Sequence, residues 1–300
     1  MKKLLAILLA ACLLLSLAAC GAAQQSGDAT GDTQAAGDAQ AKDKYVIGVC
    51  QFMPHPALDK ATEGFKAAVE AGLGKDKVTI DVQNAAGEAT NCSTIVNGMV
   101  SSNVDLIMAN ATPALAAAYN ATETIPVLGT SVTEYGVAMG ISNFNGTVGG
   151  NVSGTSDLAP LDKQAAMVKE WFPDAKNVGL LYCGAEANSK YQVEVVKNYL
   201  EGKGLTVKEF SFSSSSDMAT VTESAAAWSD VIYVPTDNTV ANNAKAIDSI
   251  CRPAGVPIVA GEAGICSGCG VATLSIDYYD LGYTTGQMAA KILKGEADIS

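Results

Sequence analysis

Short apolar runs alternate along the chain with longer segments in which apolar residues recur every three or four positions. The first apolar run covers 45–50, and in the segment after it Leu58, Ala61 and Phe65 fall on one face of a helix. The run predicts a buried strand and the spacing predicts an amphipathic helix. Because this alternation continues to a last predicted helix at 280–293, it indicates an α/β protein with parallel sheets covered by helices on both faces.

The pattern of the first half recurs in the second half. Four predicted strands at 45–50, 78–82, 104–108 and 125–130 have counterparts, in the same order, at 178–182, 205–209, 230–234 and 256–261. Each half therefore predicts a doubly wound lobe with right-handed crossovers. Ligands of such sheets bind beyond the carboxyl ends of the strands, so two facing lobes would line one cleft with both sets of loops.

The repeat predicts two lobes joined by a hinge, in the arrangement called a Venus flytrap. We predict that lobe I comprises residues 45–156 with 278–300, and that lobe II comprises residues 157–277. The first crossing is expected near 154–160, and the last helix is expected to return to lobe I. A further crossing would need residues after Ser300, so we expect the C-terminus to be incomplete.

The first twenty residues have the features of an export signal. Lys2 and Lys3 precede an apolar run at 4–15, and the segment closes with Ala18, Ala19 and Cys20. We predict a lipoprotein signal peptide at 1–20 with lipid on Cys20; the alternative is an ordinary signal with a chance cysteine. No other stretch approaches the ~18 apolar residues of a spanning helix. Residues 21–44 lack bulky apolar side chains and predict a flexible linker.

Charge excludes one class of partner. The formal net charge is −12, and removal of Lys2 and Lys3 with the signal makes it −14. Nucleic-acid binding needs many basic side chains, so we expect no nucleic acid as a partner. Arg252 is the only arginine, which argues against an arginine fork for phosphate or a dicarboxylate.

Six cysteines follow Cys20. Cys266 and Cys269 form an isolated C-x-x-C, whereas a structural zinc site needs four nitrogen or sulfur ligands. We favour a local disulfide or free thiols over a metal or redox site, and predict no metal and no cofactor. The redox state is open for the whole set, which is Cys50, Cys92, Cys183, Cys251, Cys266 and Cys269.

Five segments together resemble one protein family. They are HPALD at 55–59, DVQN at 81–84, GGNVSGTSD at 149–157, YVPTDN at 233–238 and DYYDLG at 277–282. Over about 45–295 the chain resembles the substrate-binding lipoproteins of bacterial ABC transporters of the tryptophan/tyrosine type. The resemblance implies a type I periplasmic-binding-protein fold, a partner permease with its ATPase, and an aromatic amino acid as ligand. One departure is 264–270, a glycine- and cysteine-rich stretch where a more polar loop would be expected.

A ligand carboxylate would suit a helix N-terminus, where free N–H groups carry partial positive charge. Thr112 and Pro113 predict a helix start, and Thr130 and Ser131 end the fourth strand of the same lobe. We expect Thr112, Thr130 and Ser131, with nearby backbone amides, to receive the carboxylate, and Pro113 to lie beside them in the site. Alternatively, Thr112 acts only as an N-cap.

A ligand ammonium needs an acidic partner. Asp237 is the first candidate, in a loop with Thr236 and Asn238 at the corresponding place in lobe II; alternatively, it serves only as a helix cap. Asp157 near the first crossing and Glu262 after the fourth strand of lobe II are further candidates.

Three more residues complete the expected site. Phe52 and His55 lie in the first loop of lobe I, where Phe52 would stack on an aromatic ligand. His55 is the only histidine, and it would either contact the ligand or form local hydrogen bonds. Asn188 begins the first helix of lobe II and would either cap it or bond the ligand.

The sequence thus predicts a monomeric binding protein that closes by a hinge on a small polar molecule and is anchored by lipid to the extracellular face of the membrane, or is periplasmic. No phosphate loop, nucleophile elbow or catalytic Cys–His pair supports an enzyme, and we expect no catalytic residue. A sensor or chemoreceptor accessory lipoprotein is the alternative function. A purine, nucleoside or sugar is the alternative ligand.

Overall fold

A computed structural model describes residues 42–299. Strands and helices alternate throughout this range. The first sheet and its helices comprise β1 (Tyr45–Gln51), α1 (Pro56–Leu73), β2 (Val78–Asn84), α2 (Ala89–Ser101), β3 (Leu106–Asn110), α3 (Thr112–Ala121), β4 (Val127–Val132), α4 (Tyr135–Met139) and β5 (Val152–Ser156). The second set comprises α5 (Leu161–Trp171), β6 (Asn177–Cys183), α6 (Ala187–Gly202), β7 (Thr206–Phe212), α7 (Ser215–Trp228), β8 (Val231–Val234), α8 (Asn238–Cys251), β9 (Ile258–Ala260), α9 (Ala263–Cys269), β10 (Ala272–Thr273) and α10 (Tyr278–Leu293).

The strands form two separate five-stranded sheets. Their orders are β2-β1-β3-β4-β5 and β7-β6-β8-β9-β10, and every pairing between these strands is parallel. The two orders are the same when β1 is matched with β6, so the repeat seen in the sequence corresponds to a repeat in topology. The predicted fold class, an α/β protein with two doubly wound lobes, is confirmed. We call the part built on the first sheet lobe I and the part built on the second sheet lobe II.

Burial explains which strands the apolar pattern predicts best. Every residue of β3 and β8 is buried, as expected for central strands covered by helices on both faces. The edge strand β2 has no fully buried residue. Separate apolar clusters on the two faces of each sheet make up the core of each lobe.

The chain crosses between the lobes after β5 and again after β10. After the second crossing, α10 packs along α1 of lobe I at very short range. A Cβ atom on Gly282 would lie 1.9 Å from the carbonyl oxygen of Ala61, and one on Gly64 would lie 2.1 Å from that of Tyr279. Only glycine permits this approach, so the backbones of α1 and α10 are in direct contact.

Some segments differ from their predictions or fall outside the described range. The stretch 264–270, expected to be a loop, lies largely in α9, where Cys266 and Cys269 are one turn apart. All six cysteines of the described range are free, and Cys266 is the one that is not buried. The predicted signal peptide, the lipid-bearing Cys20 and most of the linker lie outside the described residues. Within 42–299, no helix combines the length and apolar character needed to cross a membrane.

Candidate functional site

A small polar cavity lies between the two lobes at the carboxyl ends of their strands. Its volume is about 10 Å³, room for about one water-sized group. Its lining combines loop and helix-start residues of both lobes: His55, Ala57, Leu58, Ser131, Thr133, Asp157, Asn188, Thr236, Asp237, Asn238, Glu262 and Tyr278. A larger pocket of about 490 Å³ beside α4 and β5 is lined by residues of lobe I and by Leu158 of the first crossing.

The structure brings eight of the predicted site residues to this cavity. They are His55, Ser131, Asp157, Asn188, Thr236, Asp237, Asn238 and Glu262. Their residue types match a site for a polar molecule, because each offers at least one hydrogen-bonding or charged group. Whether each touches a ligand stays a prediction.

The other four predicted residues do not line the cavity. Phe52 is buried in the core of lobe I and does not line the cavity, so its stacking role stays a prediction. The Thr130 hydroxyl lies 3.3 Å from that of Thr155 within lobe I. Thr112 and Pro113 do begin α3, as predicted, but this helix end is not part of the lining. The geometry therefore gives no support to a ligand contact by these four.

The helix end that does line the cavity is that of α1. His55 is its N-cap and makes no side-chain capping bond, and Pro56 occupies the first turn. Ala57 and Leu58 line the cavity. Their N–H groups come before the first backbone hydrogen bond of the helix, which Asp59 donates to His55. Sequence reasoning missed these two residues, although His55–Pro56 carries the same proline signal of a helix start as Thr112–Pro113.

A buried polar network holds this end of α1 on its sheet. The Asn110 amide donates to the carbonyl of Leu58 over 2.9 Å and to the Thr62 hydroxyl over 3.0 Å. The Thr62 hydroxyl in turn donates to the side chain of Gln51 over 2.6 Å, and Gln51 donates to Asp59 over 2.7 Å. The start of α1 is thereby fixed to the ends of β1 and β3.

Two of the three acidic residues in the lining serve as helix caps. Asp237 accepts from the backbone of Val240 and Cys183 and from the Ser189 hydroxyl, at 2.7–2.8 Å, so both its oxygens are engaged within lobe II. Glu262 accepts from two backbone N–H groups at the start of α9. Burial, and for Asp237 the neighbouring Glu186 carboxylate, raises the pKa of both groups.

Asp157 is the acidic lining residue in which one carboxylate oxygen has no hydrogen-bond partner in the described structure. It follows β5, and its Oδ2 accepts a 2.8 Å hydrogen bond from the hydroxyl of Tyr278, the first residue of α10. Its Oδ1 is buried and has no hydrogen-bond partner among the described residues. Burial raises the pKa of Asp157, and the hydrogen bond from Tyr278 and the nearby Thr133 side chain oppose that rise. Tyr278 and Thr133 also line the cavity and were missed from the sequence.

Unpartnered polar atoms are concentrated at this cavity. Four of its lining residues each have one buried atom without a hydrogen-bond partner in the described structure: His55 Nδ1, Ser131 Oγ, Asp157 Oδ1 and Asn188 Oδ1. Each such atom costs about 1–3 kcal/mol when buried unpaired. The lining also contains no Lys or Arg, so the cavity favours a positively charged guest that donates hydrogen bonds.

A direct hydrogen bond between the lobes lies at the cavity. His55 Nε2 in lobe I lies 3.1 Å from Asn238 Oδ1 in lobe II. Burial lowers the pKa of His55 below its ordinary value of 6.5. Burial therefore favours the neutral form of His55, and the lining contains no Lys or Arg.

Ser131 has a strained backbone. Its φ is 53°, and it lies where the β4–β5 pairing shifts register between Gly129 and Val132. A non-glycine residue in the left-handed region is uncommon, and such strain is concentrated at functional sites. Within the described residues, no cluster of side chains is suited to hold a metal ion.

Comparison with known proteins gives matches over nearly the whole described chain. A family model for "ABC transporter substrate binding protein" matches residues 46–299. A tyrosine-binding protein of Clostridioides difficile (strain R20291) is 37% identical over 298 residues, which are 99% of this chain and 85% of that relative.

Two solved structures differ informatively in their similarity. The ABC domain from Streptococcus pneumonia in complex with L-Trp is 35% identical, with a TM-score of 0.80 over 84% of this chain and 85% of that one. The ligand-free, open structure of a substrate binding protein with adhesive properties from Clostridium difficile is 38% identical, with a TM-score of 0.62 over 85% and 86%. At nearly equal identity, this chain is thus arranged more like the L-Trp complex than like the open structure.

Proposed function

Because the chain belongs to the family of ABC transporter substrate binding proteins, we propose that it captures an amino acid with an aromatic side chain between its lobes and delivers it to a permease for import. The family binds solutes and is not a family of enzymes, and its members act outside the cytoplasm. Relatives named for tyrosine binding and solved with L-Trp support the aromatic class.

The single observation that carries the proposal is the unpartnered carboxylate oxygen of Asp157. A buried carboxylate that lacks a partner is costly, and a bound cation would remove that cost. Because the lining has no Lys or Arg, a cation that pairs with this oxygen would come from the ligand. An α-ammonium group is about the size of a water molecule and suits a cavity of about 10 Å³.

We propose that Asp157, rather than Asp237, receives the ammonium. Both oxygens of Asp237 already accept hydrogen bonds within lobe II. We assign the carboxylate to the start of α1, where Ala57 and Leu58 have N–H groups without helical partners, and to the hydroxyl of Ser131. The helix dipole adds to this attraction.

The aromatic side chain has a place beside the cavity. A pocket of about 440 Å³, open to solvent, shares Ala57, Glu262 and Tyr278 with the cavity. Its volume lies within the range of about 300–1,000 Å³ for small-molecule sites. We propose that the ligand side chain lies on this side of the cleft.

In the proposed transport cycle the lobes open and close about the hinge. The bond between His55 and Asn238 joins the lobes, and the cavity between them is smaller than an amino acid, so entry requires the lobes to separate. A ligand that bonds both lobes favours the closed form by its difference in affinity for the two forms. The larger TM-score to the L-Trp complex than to the open structure supports this interpretation.

Calorimetric titration tests the proposal. We expect the chain from residue 42 onward to bind L-tyrosine or L-tryptophan. Asp157→Asn should weaken binding by about 2–5 kcal/mol, since the amide leaves the ammonium unpaired. Asp162→Asn, in the exposed first turn of α5, is the matched control and should bind as the wild type does. Equal affinities for the two variants would contradict the assignment, and binding of neither amino acid would contradict the proposed ligand class.

We further propose that lipid on Cys20 holds the protein at the outer face of the cell membrane, close to its permease. The positively charged start, the apolar run and Ala18–Ala19 before Cys20 support this. Cys20→Ala should abolish labelling of the protein by radioactive fatty acid and release it from the membrane fraction. Retention in that fraction would contradict the anchor.

A further inference from the structure

A buried carboxylate outside the cavity controls two of the side chains that line it. Glu186, the N-cap of α6, is 4% exposed and does not line the cavity. Its Oε2 accepts from the backbone and side-chain amides of Asn238, at 3.0 and 2.6 Å, and from the side-chain amide of Asn188 at 3.1 Å. Its Oε1 accepts from the backbone and hydroxyl of Thr239, both at 2.8 Å. An ionised carboxylate only accepts, so each of these neighbours has to present a donor.

This requirement fixes which way the Asn238 amide points. Rotating the amide by half a turn would place its oxygen 2.6 Å from a carboxylate oxygen of Glu186, with two acceptors facing each other. The oxygen of Asn238 therefore faces His55, 3.1 Å from Nε2.

The amide orientation in turn fixes the histidine. Since Asn238 offers His55 an acceptor, Nε2 carries the hydrogen and donates it. In a neutral imidazole the other nitrogen is then an acceptor. Burial lowers the pKa of His55 and so favours this neutral form, although the hydrogen bond to Asn238 and the carboxylates of Glu186 and Asp59 act in the opposite direction. The Nδ1 atom does not cap α1 and has no partner in the described structure.

Three acceptor atoms thus belong to residues around one small cavity. They are Nδ1 of His55, Oδ1 of Asn188, whose NH₂ group donates to Glu186, to the Ser189 hydroxyl and to the Thr236 carbonyl, and Oδ1 of Asp157. A primary ammonium has three N–H donors, one for each acceptor. An N-methylated amine has two and leaves one acceptor unpaired, and an α-hydroxy acid has one.

We propose that Glu186 is a positioning residue which, through Asn238 and Asn188, sets His55 and Asn188 as acceptors and so makes the site selective for ligands with a primary ammonium group. The inference rests on the proposed function and adds to it the reason for selectivity at the amine.

Two measurements test it. The first is nitrogen NMR of the ligand-free protein, in which the imidazole signals come from a single residue because the chain contains one histidine. We expect the Nε2–H tautomer in the wild type and in Glu194→Gln, a control on the exposed face of α6. In Glu186→Gln an amide NH₂ replaces one acceptor, so the tautomer should change wholly or in part. An Nδ1–H tautomer in the wild type, or no change in Glu186→Gln, would overturn the inference.

The second is the ratio of the affinities for L-tyrosine and N-methyl-L-tyrosine. We expect the wild type and Glu194→Gln to prefer L-tyrosine by about tenfold or more, the effect of one hydrogen bond. Glu186→Gln should reduce that ratio. Equal affinities in the wild type would overturn the inference, whereas no binding of L-tyrosine would instead overturn the proposed function.

A pair of histidine variants keeps the test independent of the folding of Glu186→Gln. His55→Asn places a side-chain oxygen near the position of Nδ1 and should retain the preference for the primary amine. His55→Gln places its amide near the position of Nε2, lacks the acceptor and should lose the preference. Loss or retention of the preference by both variants alike would contradict a role for Nδ1.

Discussion

Tyr278 donates a hydrogen bond from its hydroxyl to Oδ2 of Asp157 over 2.8 Å. Asp157 begins the first crossing between the lobes, directly after β5, and Tyr278 begins α10 directly after the second. The bond therefore connects the two crossings at the cavity, and it stabilises the ionised form of the carboxylate that we assign to the ligand ammonium.

Removing this hydroxyl should affect stability and binding together. Tyr278→Phe leaves a buried carboxylate with one donor fewer, and a hydrogen bond to a charged group contributes about 1.5–3 kcal/mol. We expect a lower free energy of unfolding in urea and an affinity reduced at least about tenfold by calorimetry. Tyr283→Phe, on the same helix but outside the cavity lining, is the control. An affinity equal to that of the control would exclude a role for the bond in binding.

The raised pKa of Asp157 predicts a pH dependence of stability. The native carboxyl holds its proton to a higher pH than its unfolded counterpart, whose pKa is near 3.8. In ligand-free protein the native state then binds more protons than the unfolded state, so this residue's contribution to stability is greatest below about pH 4 and is lost as the pH rises through the native pKa.

Comparison with Asp157→Asn isolates this contribution, because the other titrating groups, His55 and Glu262 among them, are present in both proteins. The wild-type free energy of unfolding, minus that of the variant, should fall with pH above about 4, with a slope of at most about 1.4 kcal/mol per pH unit. Urea titrations between about pH 3 and 8 measure it. A difference that rises with pH would show that the native pKa is lowered instead.

The contact of α1 with α10 predicts a strong effect of one methyl group. A Cβ on Gly282 would lie 1.9 Å from the Ala61 carbonyl oxygen, and backbone cannot give way as a flexible side chain can. We expect Gly282→Ala to lower the free energy of unfolding by about 1–3 kcal/mol or more. It should also weaken ligand binding, because the starts of both helices line the cavity.

A matched glycine provides the control for that substitution. Gly98 lies within α2, and a Cβ there would meet nothing within 4 Å. Gly98→Ala should therefore raise the free energy of unfolding by up to about 1 kcal/mol, through helix propensity and a less flexible unfolded chain. Thermal and urea unfolding measure both variants, and the same sign of effect in both would contradict the packing argument.

The fold was predictable because its strands are buried and its halves repeat. Strands such as β3 and β8 read as continuous apolar runs because helices cover both their faces. The helix α9 was missed since its glycines indicate a loop. It forms because Glu262 caps its first turn and because Gly268 allows it to pack closely on Ala244 of α8.

The site was predictable only as far as topology alone defines it. Residues after the strands of each lobe were expected at the cleft, and Asp157, Asn188 and Asp237 lie there. Which helix start faces the opposite lobe depends on the relative orientation of the lobes. That orientation cannot be predicted from the apolar pattern of a single sequence. The sequence therefore favours the start of α3 for the carboxylate, whereas the helix start that lines the cavity is that of α1. Tyr278 is likewise not predictable from the sequence, because its hydroxyl contacts Asp157, a residue 121 positions away in the chain.

The backbone of Ser131 separates two roles of that residue. Its φ of 53° is unfavourable for any side chain with a Cβ, by about 1–2 kcal/mol, and its buried hydroxyl has no partner in the described structure. Ser131→Gly relieves the strain and removes the hydroxyl, whereas Ser131→Ala removes the hydroxyl and keeps the strain. We expect the glycine variant to be the more stable of the two by about 1 kcal/mol in urea unfolding.

Both Ser131 variants should nevertheless bind the ligand more weakly than the wild type, by about fivefold to tenfold for one lost hydrogen bond. If the hydroxyl served only the fold, affinity would follow stability, and the glycine variant would bind as well as the wild type. If the hydroxyl donates to the ligand carboxylate, affinity falls in both variants although their stabilities differ. Calorimetry and urea unfolding of the same two variants therefore decide whether the Ser131 hydroxyl serves the stability of the fold or the binding of the ligand.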